Sequence, residues 1–475
     1  MARINTNVGA IVAQRHLAQS NTKLNRTIQH LASGLRITRG ADDPAGLIAS
    51  ERLRSEISAV NQAITNTQRA SNIIATTEGA LDEVSRLLND IQDLIVEAAN
   101  EGALSDDEIK ANQLQVDSAI ASITRIANST TFAGRQLLNG SLDYITSGVD
   151  TSVIKALGIN SVTFGTRDYV PVTVEVTTSA QPATLYFPHA GITSAVSIEL
   201  AGPKGVTTIQ FAASSSSKDM ADAINALSDA TGITATLSSD PASGFRIESE
   251  LLGSDQFVQV SPISQTGTFE VENADGDTVS RDIGRDAVAL INGSQTIGEG
   301  NDLTLKTATL DMTVSLSRDF GIGTTQFAIT GGGALFQVGP EVNSNLQVNL
   351  GVQSVAASRL GNLDIGFLSQ VQSGGDYSLI NGEAARAQEI TREAIRQVAV
   401  MRGRLGAFEK NTLDTNVNQL GITMENLMAS ESAIRDADFA QETSELSRNQ
   451  ILVSAGTSVL ALAQQTPQNV LRLLG

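Results

Sequence analysis

Leu53, Val60, Thr67, Ile74, Leu81, Leu88 and Ile95 recur at seven-residue intervals, and Ile57, Ile64, Val84 and Ile91 fill the stripe between them. An apolar repeat of 3.5 residues sustained this long predicts a coiled-coil-like helix. At 1.5 Å per residue the stretch 53–100 reaches roughly 70 Å, longer than an ordinary globular domain. An earlier stripe, Leu17, Leu24 and Leu31 with Ile28 and Leu35, precedes the segment "RGADDPAG". After a loop near 100–107, Ile109, Val116, Ile120 and Ile123 continue the pattern. Residues 1 to about 140 therefore read as helix nearly throughout.

The other end of the chain repeats the style from about residue 376. Val398, Met401, Leu405 and Phe408 form one stripe. Phe439, Leu446, Val453 and Leu460 are spaced by seven, and Pro467 and Leu474 take the next two slots. Proline lacks a backbone donor and restricts the residue before it, so a kink or break is expected at Pro467. Residues 141 to about 350 differ. Gly, Ser, Thr and Val rise there, and period-2 runs such as "AVSIEL", "VTTIQF" and "LTLKTATLDMTVSLS" predict strands. "SKDMADAINALSDATG" interrupts them as a helix, with Ser217 expected as N-cap and Gly232 as C-cap. "NADGDTV" carries Asp-Gly at a hairpin turn. The expected fold is α+β: a long antiparallel coiled-coil-like rod made by both chain ends, with an inserted β-rich outer region of one or two subdomains. The expected segments are 1–44 and 431–475 for an inner helical domain, 45–140 and 351–430 for a rod domain, and 141–350 for the insertion.

Charge bears on the pairing of the ends. The first 41 residues carry Arg3, Arg15, Lys23, Arg26, Arg36 and Arg39 but no acid, while 425–450 is rich in Glu and Asp. Opposite signs on two amphipathic segments favour their association. The whole chain has a formal net charge of −19, which argues against wrapping nucleic acid or docking on anionic lipid. It contains no Cys, which removes disulfides, thiolate metal sites and Cys nucleophiles. No long apolar run suggests a membrane span, and no cleavable signal peptide is expected from "MARINTNVGA".

The last segment, "GTSVLALAQQTPQNVLRLLG", is apolar with a single charge, Arg472. Two helices paired as a hairpin bury one stripe each, yet Ile451, Leu452 and Val453 are consecutive, and Leu471, Leu473 and Leu474 surround Arg472. Burying the remaining faces needs further copies of the chain, and heterologous side-by-side packing generates open helical filaments. An ordinary helical bundle, or a tail folded back on its own rod, is the competing reading of the pattern.

"MARINTNVGAIVAQRHL", "LASGLRITRGADDPAGLIASERLRSEI" and "NSTTFAGRQLLNG" resemble the amino-terminal region of bacterial flagellins, and "ESAIRDADFAQETSELSRNQILVSAGTSVLALAQQTPQNVLRLLG" resembles their carboxyl-terminal region. The middle, through "DMADAINALSDATGITATL" and "ALINGSQTI", is more loosely similar to the insertion modules of flagellins and hook proteins. The resemblance implies a structural subunit of the flagellar filament, not an enzyme and without a cofactor, located outside the cell. It implies self-assembly into an open helical polymer, unfolded export through the flagellar type III channel, an export chaperone, and contact with filament cap and junction proteins. The residues expected at the inner-core interface are Ile4, Val8, Ile11, Leu17, Leu24, Leu31, Phe439, Leu446, Val453, Leu460, Pro467, Leu471 and Leu474. A hook–filament junction protein shares the terminal patterns, and a filament-displayed adhesin is a further alternative.

Other motifs read as structural. Asp42 and Asp43 have no His or third acid nearby, and Asp43 as N-cap with Pro44 as first helical residue accounts for them. His16, His30 and His189 are scattered, so no zinc site is expected. Around Asp275 and Asp277 a calcium loop would start at Val271, which favours the hairpin turn. Flagellins detected by Toll-like receptor 5 show an L-Q-R-x-x-E-L stretch. The corresponding run here is Leu88-Asn89-Asp90-Ile91-Gln92-Asp93-Leu94, so Asp90 reverses the arginine's charge and Leu94 closes the motif. A family glutamate on the next helix falls on Ser122. Weak or absent recognition by that receptor is expected.

Overall fold

The computed structural model describes residues 6–100, 102–165, 167–238, 244–263, 269–363 and 365–474, with 466–474 as backbone alone. Eight α-helices are described: α1 (Val8–Ser33), α2 (Pro44–Ala98), α3 (Asp106–Ser129), α4 (Ser217–Asn225), α5 (Ser228–Thr231), α6 (Ala384–Phe408), α7 (Thr415–Arg435) and α8 (Phe439–Leu474). The chain divides into two compact units, one of residues 1–69, 337–342 and 411–475, the other of 70–336 and 343–410.

In the first unit α1 packs on α8, and the beginning of α2 packs on α7 through Val60, Ala63 and Leu420, flanked by Ile64, Met424 and Leu427. The α1–α2 and α7–α8 links are zipped together. Arg36 N–H donates to Arg435 O at 2.8 Å, and Ala437 N–H donates to Gly34 O at 2.9 Å. Gly34 closes α1 with φ 71°, a left-handed conformation that glycine adopts without strain.

The segment "GADDPAG" is a helix start, as its sequence predicts. Asp43 Oδ1 accepts the Gly46 N–H at 2.9 Å, and Pro44 opens α2. A Cβ on Gly46 would lie 2.6 Å from Ile37 Cδ1, so only glycine lets buried Ile37 plug this corner. Asp42 ties down the preceding loop. Its Oδ2 accepts from Thr38 Oγ1 at 2.9 Å and Arg39 N at 3.0 Å, while Arg26 Nε lies 3.7 Å from Oδ1. Burial alone would raise this carboxyl, but the Thr38 and Arg39 hydrogen bonds and the Arg26 charge outweigh it and hold the pKa below its ordinary value. A depressed pKa contributes stability that is present above the unfolded value, about 3.9, and is lost as pH falls through the folded value. Asp42→Asn is therefore expected to flatten the loss of helix stability on acidification below about pH 4. Circular dichroism of both proteins across that range tests this, and identical acid limbs would refute it.

In the second unit the heptad stripe of α2 is buried as its spacing predicts: Ile74, Leu81, Leu88 and Ile95 are each at most 1% exposed, and Val84 and Ile91 are fully buried. α3 starts on a capping box, in which Ser105 accepts from Glu108 N–H while the Glu108 carboxylate accepts from Ser105 N–H. α6 buries Ile390, Ala394, Val398, Met401 and Leu405, and Arg402 pairs with Asp82 of α2 at 3.0 Å. A π-helical turn, Glu409–Asp414, carries α6 into α7.

The insertion contains two β cores. A five-stranded antiparallel sheet (order 294–295, 288–291, 170–178, 323–332, 144–147) shares one core with a four-stranded sheet (297–299, 302–306, 310–316, 154–162). The other core joins a three-stranded sheet (184–187, 245–249, 233–237) and a four-stranded sheet (281–283, 257–262, 196–201, 206–211) with α4. The strand 310–316 alternates buried and half-buried residues throughout, the period-2 signature of its sequence. Two local expectations need correction. The N-cap of α4 is Ser216, not Ser217, because Ser216 Oγ forms the capping box with Asp219, whereas Ser217 Oγ donates to His189 O. The predicted single helix also breaks after Ala226, and Gly232 caps the short α5 instead.

Candidate assembly interface

Four contacts define how α1 meets α8: Asn7 with Ala463, Leu17 with Gly456, Thr27 with Asn449 and His30 with Glu442. Numbers rise on one helix as they fall on the other, so the pair is antiparallel. On α8 the contact positions Glu442, Asn449, Gly456 and Ala463 are spaced by seven. They form a row of small or polar residues. Asn449 is fully buried and donates to Thr27 Oγ1 at 3.3 Å, while buried His30 places Nδ1 2.8 Å from Glu442 Oε1. A Cβ on Gly456 would lie 3.2 Å from Leu17 Cδ1, so the backbones approach closely there.

This seam holds two polar pairs, and Leu17, Leu24 and Leu31 of α1 and Leu446, Val453 and Leu460 of α8 are half-buried. Other large side chains are left exposed. On α8, exposure runs from 46% for Leu452 to 68% for Ile451, with Phe439, Val459 and Leu462 between. On α1, Val8, Ile11, Val12 and Ile28 are exposed. A self-sufficient helical hairpin would turn those residues inward. Here they form apolar faces of the kind that mark an interaction surface.

The residues expected at the interface are distributed accordingly. Val8, Ile11 and Phe439 are exposed, while Leu17, Leu24, Leu31, Leu446, Val453 and Leu460 are half-buried. Ile4, and the side chains of Pro467, Leu471 and Leu474, lie outside the described residues. The break expected at Pro467 is absent: α8 runs on to Leu474. The charge argument also needs correction. Among the described residues, the contacts between titratable side chains that link the two chain ends within this unit are the His30–Glu442 hydrogen bond and the Arg435–Glu51 ion pair, the latter at 3.0 Å. Among the described residues, none of Arg15, Lys23, Arg26, Arg36 and Arg39 forms an ion pair with the acids of 425–450: Arg26 pairs with Asp42, and Arg36 donates to Ile434 O.

Sequence reading missed Asn7, Asn449 and Gly456, because hydrophobic periodicity is blind to a row made of Glu, Asn, Gly and Ala. The available signal was their own seven-residue spacing. Among the receptor-related positions, Asp90 is exposed, Leu94 is half-buried, and Ser122 is half-buried with Oγ 3.5 Å from Arg125 Nη2. The turn at 273–278 is held by Asn273 Oδ1, which accepts the N–H groups of Asp275 and Asp277 at 3.0 and 2.9 Å. Among the described residues no cluster of His, Asp and Glu is arranged to hold a metal, and no helix is long and apolar enough to cross a membrane.

Comparison with known proteins gives this arrangement its context. Residues 4–143 match the bacterial flagellin N-terminal helical region, 388–474 the bacterial flagellin C-terminal helical region, and 196–250 the flagellin hook IN motif. The B-type flagellin of Pseudomonas aeruginosa is 31% identical over 99% of both chains. The chain belongs to the bacterial flagellin family. Flagellin A of Helicobacter pylori, 27% identical, and a flagellin of Salmonella rubislaw, 29% identical, are also matched over 99% of each chain. Among solved structures, FliC from Burkholderia pseudomallei is 16% identical over 72% of this chain and 98% of its own, with a TM-score of 0.26. As a flagellin, the chain is a structural subunit of the flagellar filament. The IN motif maps onto the second β core and spans α4 and α5.

Proposed function

We propose that the exposed faces of α1 and α8 are the surfaces through which flagellin subunits pack on copies of themselves. The observation that carries this is the apolar surface that the helix pair leaves uncovered: Ile451, Val459, Leu462, Val8 and Ile11 face outward. Burying each such side chain against a neighbour contributes about 1.5–3 kcal/mol. Deleting Pro467–Gly475 is expected to leave a soluble monomer that does not polymerise after seeding, as read by electron microscopy. Normal filaments from the truncated chain would refute this role for the tail.

The same surface accounts for partners before assembly. An export chaperone shields the apolar face of α8, and the absence of Cys suits threading through the type III channel. Filament cap and junction proteins meet the terminal helices at the growing end. Toll-like receptor 5 binds weakly or not at all, because an exposed carboxylate at Asp90 stands where an arginine would donate. Purified monomer is expected to be at least tenfold less potent in a receptor reporter assay than a flagellin with arginine there, a deficit of about 1.4 kcal/mol or more. Equal potency would remove the receptor reading.

A further inference from the structure

α1 carries cations that its own chain does not use. Its outward line is Val8, Val12, Arg15, Gln19, Thr22 and Arg26, spaced by three and four residues and all exposed. The helix contains no acid. Among the described residues the side chain of Arg15 has no hydrogen-bond or ion-pair partner, and neither has Lys23 beside the line. Arg26 has Asp42 at 3.7 Å, yet its side chain stays 52% exposed. The outward line of α7 has the opposite sign: Ile422, Glu425, Ala429 and Ser432 are exposed, and Asp436 follows as the C-cap. Among the described residues the Glu425 carboxylate has no partner, and that of Asp436 accepts from Ser432 Oγ at 2.5 Å with no cation in reach.

The two lines have the same measure. Arg15 and Arg26 are eleven residues apart, and so are Glu425 and Asp436, about 16 Å at 1.5 Å per residue. Three positions before the first charge of each line stands an exposed aliphatic side chain, Val12 or Ile422. We infer that the basic line of α1 docks on the acidic line of α7 in a second copy of this chain. The inference rests on the assembly reading above and adds to it a surface on α7. Within one chain α1 packs on α8 and α7 on α2, which leaves both lines facing solvent. Each copy therefore offers both halves of the contact on different helices. When one copy's α1 meets the next copy's α7, a basic line stays open at one end of the pair and an acidic line at the other. Such a heterologous contact repeats without limit, as an open helical polymer requires. The charges steer the encounter and fix the offset, and the flanking aliphatic residues add buried area. A chain of net charge −19 repels its own copies, and a basic line set against a neighbour's acids relieves that repulsion where the copies touch.

Charge reversal and its rescue test the contact. Arg15→Glu is combined in turn with Glu425→Arg and with Asp436→Arg. Critical concentrations for seeded elongation are measured for the parent, the three single variants and the two double variants, with circular dichroism of each monomer as the control for folding. Arg15→Glu is expected to raise the critical concentration about tenfold, because like charges then face each other across the contact. One double variant is expected to return to within about threefold of the parent, because its charges are again opposite. That variant carries Glu425→Arg if the two lines run parallel and Asp436→Arg if they run antiparallel. Penalties that multiply in both double variants would overturn the inference, as would elongation of Arg15→Glu at the parental concentration. A second measurement covers a variant that fails to fold. The chain has no Cys, so Arg15→Cys paired with Glu425→Cys or with Asp436→Cys reports on one contact each. The variants are grown into filaments with parent and oxidised. Covalent dimers from one of the pairs support the docking, and filaments without dimers from either overturn it. Multiplying penalties in a parent that elongates would strike this contact and leave the assembly reading standing. A parent that does not elongate would overturn both.

Discussion

Placing two carboxylates on the outer face of α8, as Ile451→Asp with Leu462→Asp, is expected to abolish filament growth while leaving the monomer folded. Both side chains are largely exposed in the single chain, at 68% and 62%, so their replacement removes little of its internal packing. They lie eleven residues apart, three helical turns, and so share one face with Val459. In a filament that buries this face, each substitution forfeits about 1.5–3 kcal/mol of apolar transfer. Each also strands an unpaired charge out of water, which costs several kcal/mol more. Since every 1.4 kcal/mol is tenfold in affinity, the critical concentration should rise by a factor of at least about 1,000. Sedimentation after seeding measures it, with circular dichroism of the monomer as the control for folding. Elongation at the parental critical concentration, with the helices intact, would show that another surface carries the polymer.

The largest expected effect on stability lies in the second β core. Phe187 is 1% exposed, stacks on Phe269 with centroids 4.5 Å apart, and meets Phe245 at 5.2 Å. Phe211 adds a further stacked contact to Phe269 at 6.1 Å. In a chain with few aromatic residues this cluster concentrates much of the local apolar area. Phe187→Ala removes a ring from a site walled by strands, where collapse is limited, and is expected to cost about 3–5 kcal/mol. Loss of ring–ring contacts belongs within that figure. Calorimetry should show one transition moving to lower temperature while the helical transition stays in place. Filament assembly should continue, because Phe187 lies in the β insertion and the proposed faces lie on α1 and α8. A common downward shift of all transitions, or loss of assembly, would show that the β cores and the helices fold as one cooperative unit.

Strong periodicity made parts of the fold legible. In α2 a single stripe recurs every seventh position, and the helix buries it from Val60 to Ile95. The start of α2 was equally readable, because Asp, Pro and Gly in "DDPAG" act locally as cap, first helical residue and point of close approach. The corner at Ser214–Asp219 is legible only to within one residue. Both Ser216 and Ser217 carry a capping hydroxyl, but only Ser216 has an acid three residues on, Asp219, to close a capping box, and Ser217 Oγ instead donates to His189 O.

The sequence alone determined that both chain ends are long amphipathic helices around a β-rich insertion, and that their apolar content exceeds what one hairpin buries. Those properties follow from residue spacing, which acts within a few turns of the same helix. Which residues face inward in the α1–α8 pair was decided only by the tertiary structure. A hydrophobic pattern selects the row beginning with Phe439, of which Leu446, Val453 and Leu460 are half-buried while Phe439 is exposed. Close approach at Gly456, the buried contacts of Asn449 and Glu442, and the Asn7 bond to Ala463 add a second, smaller and more polar row that the pattern does not show. Those contacts join residues more than 400 positions apart, so no local pattern records them.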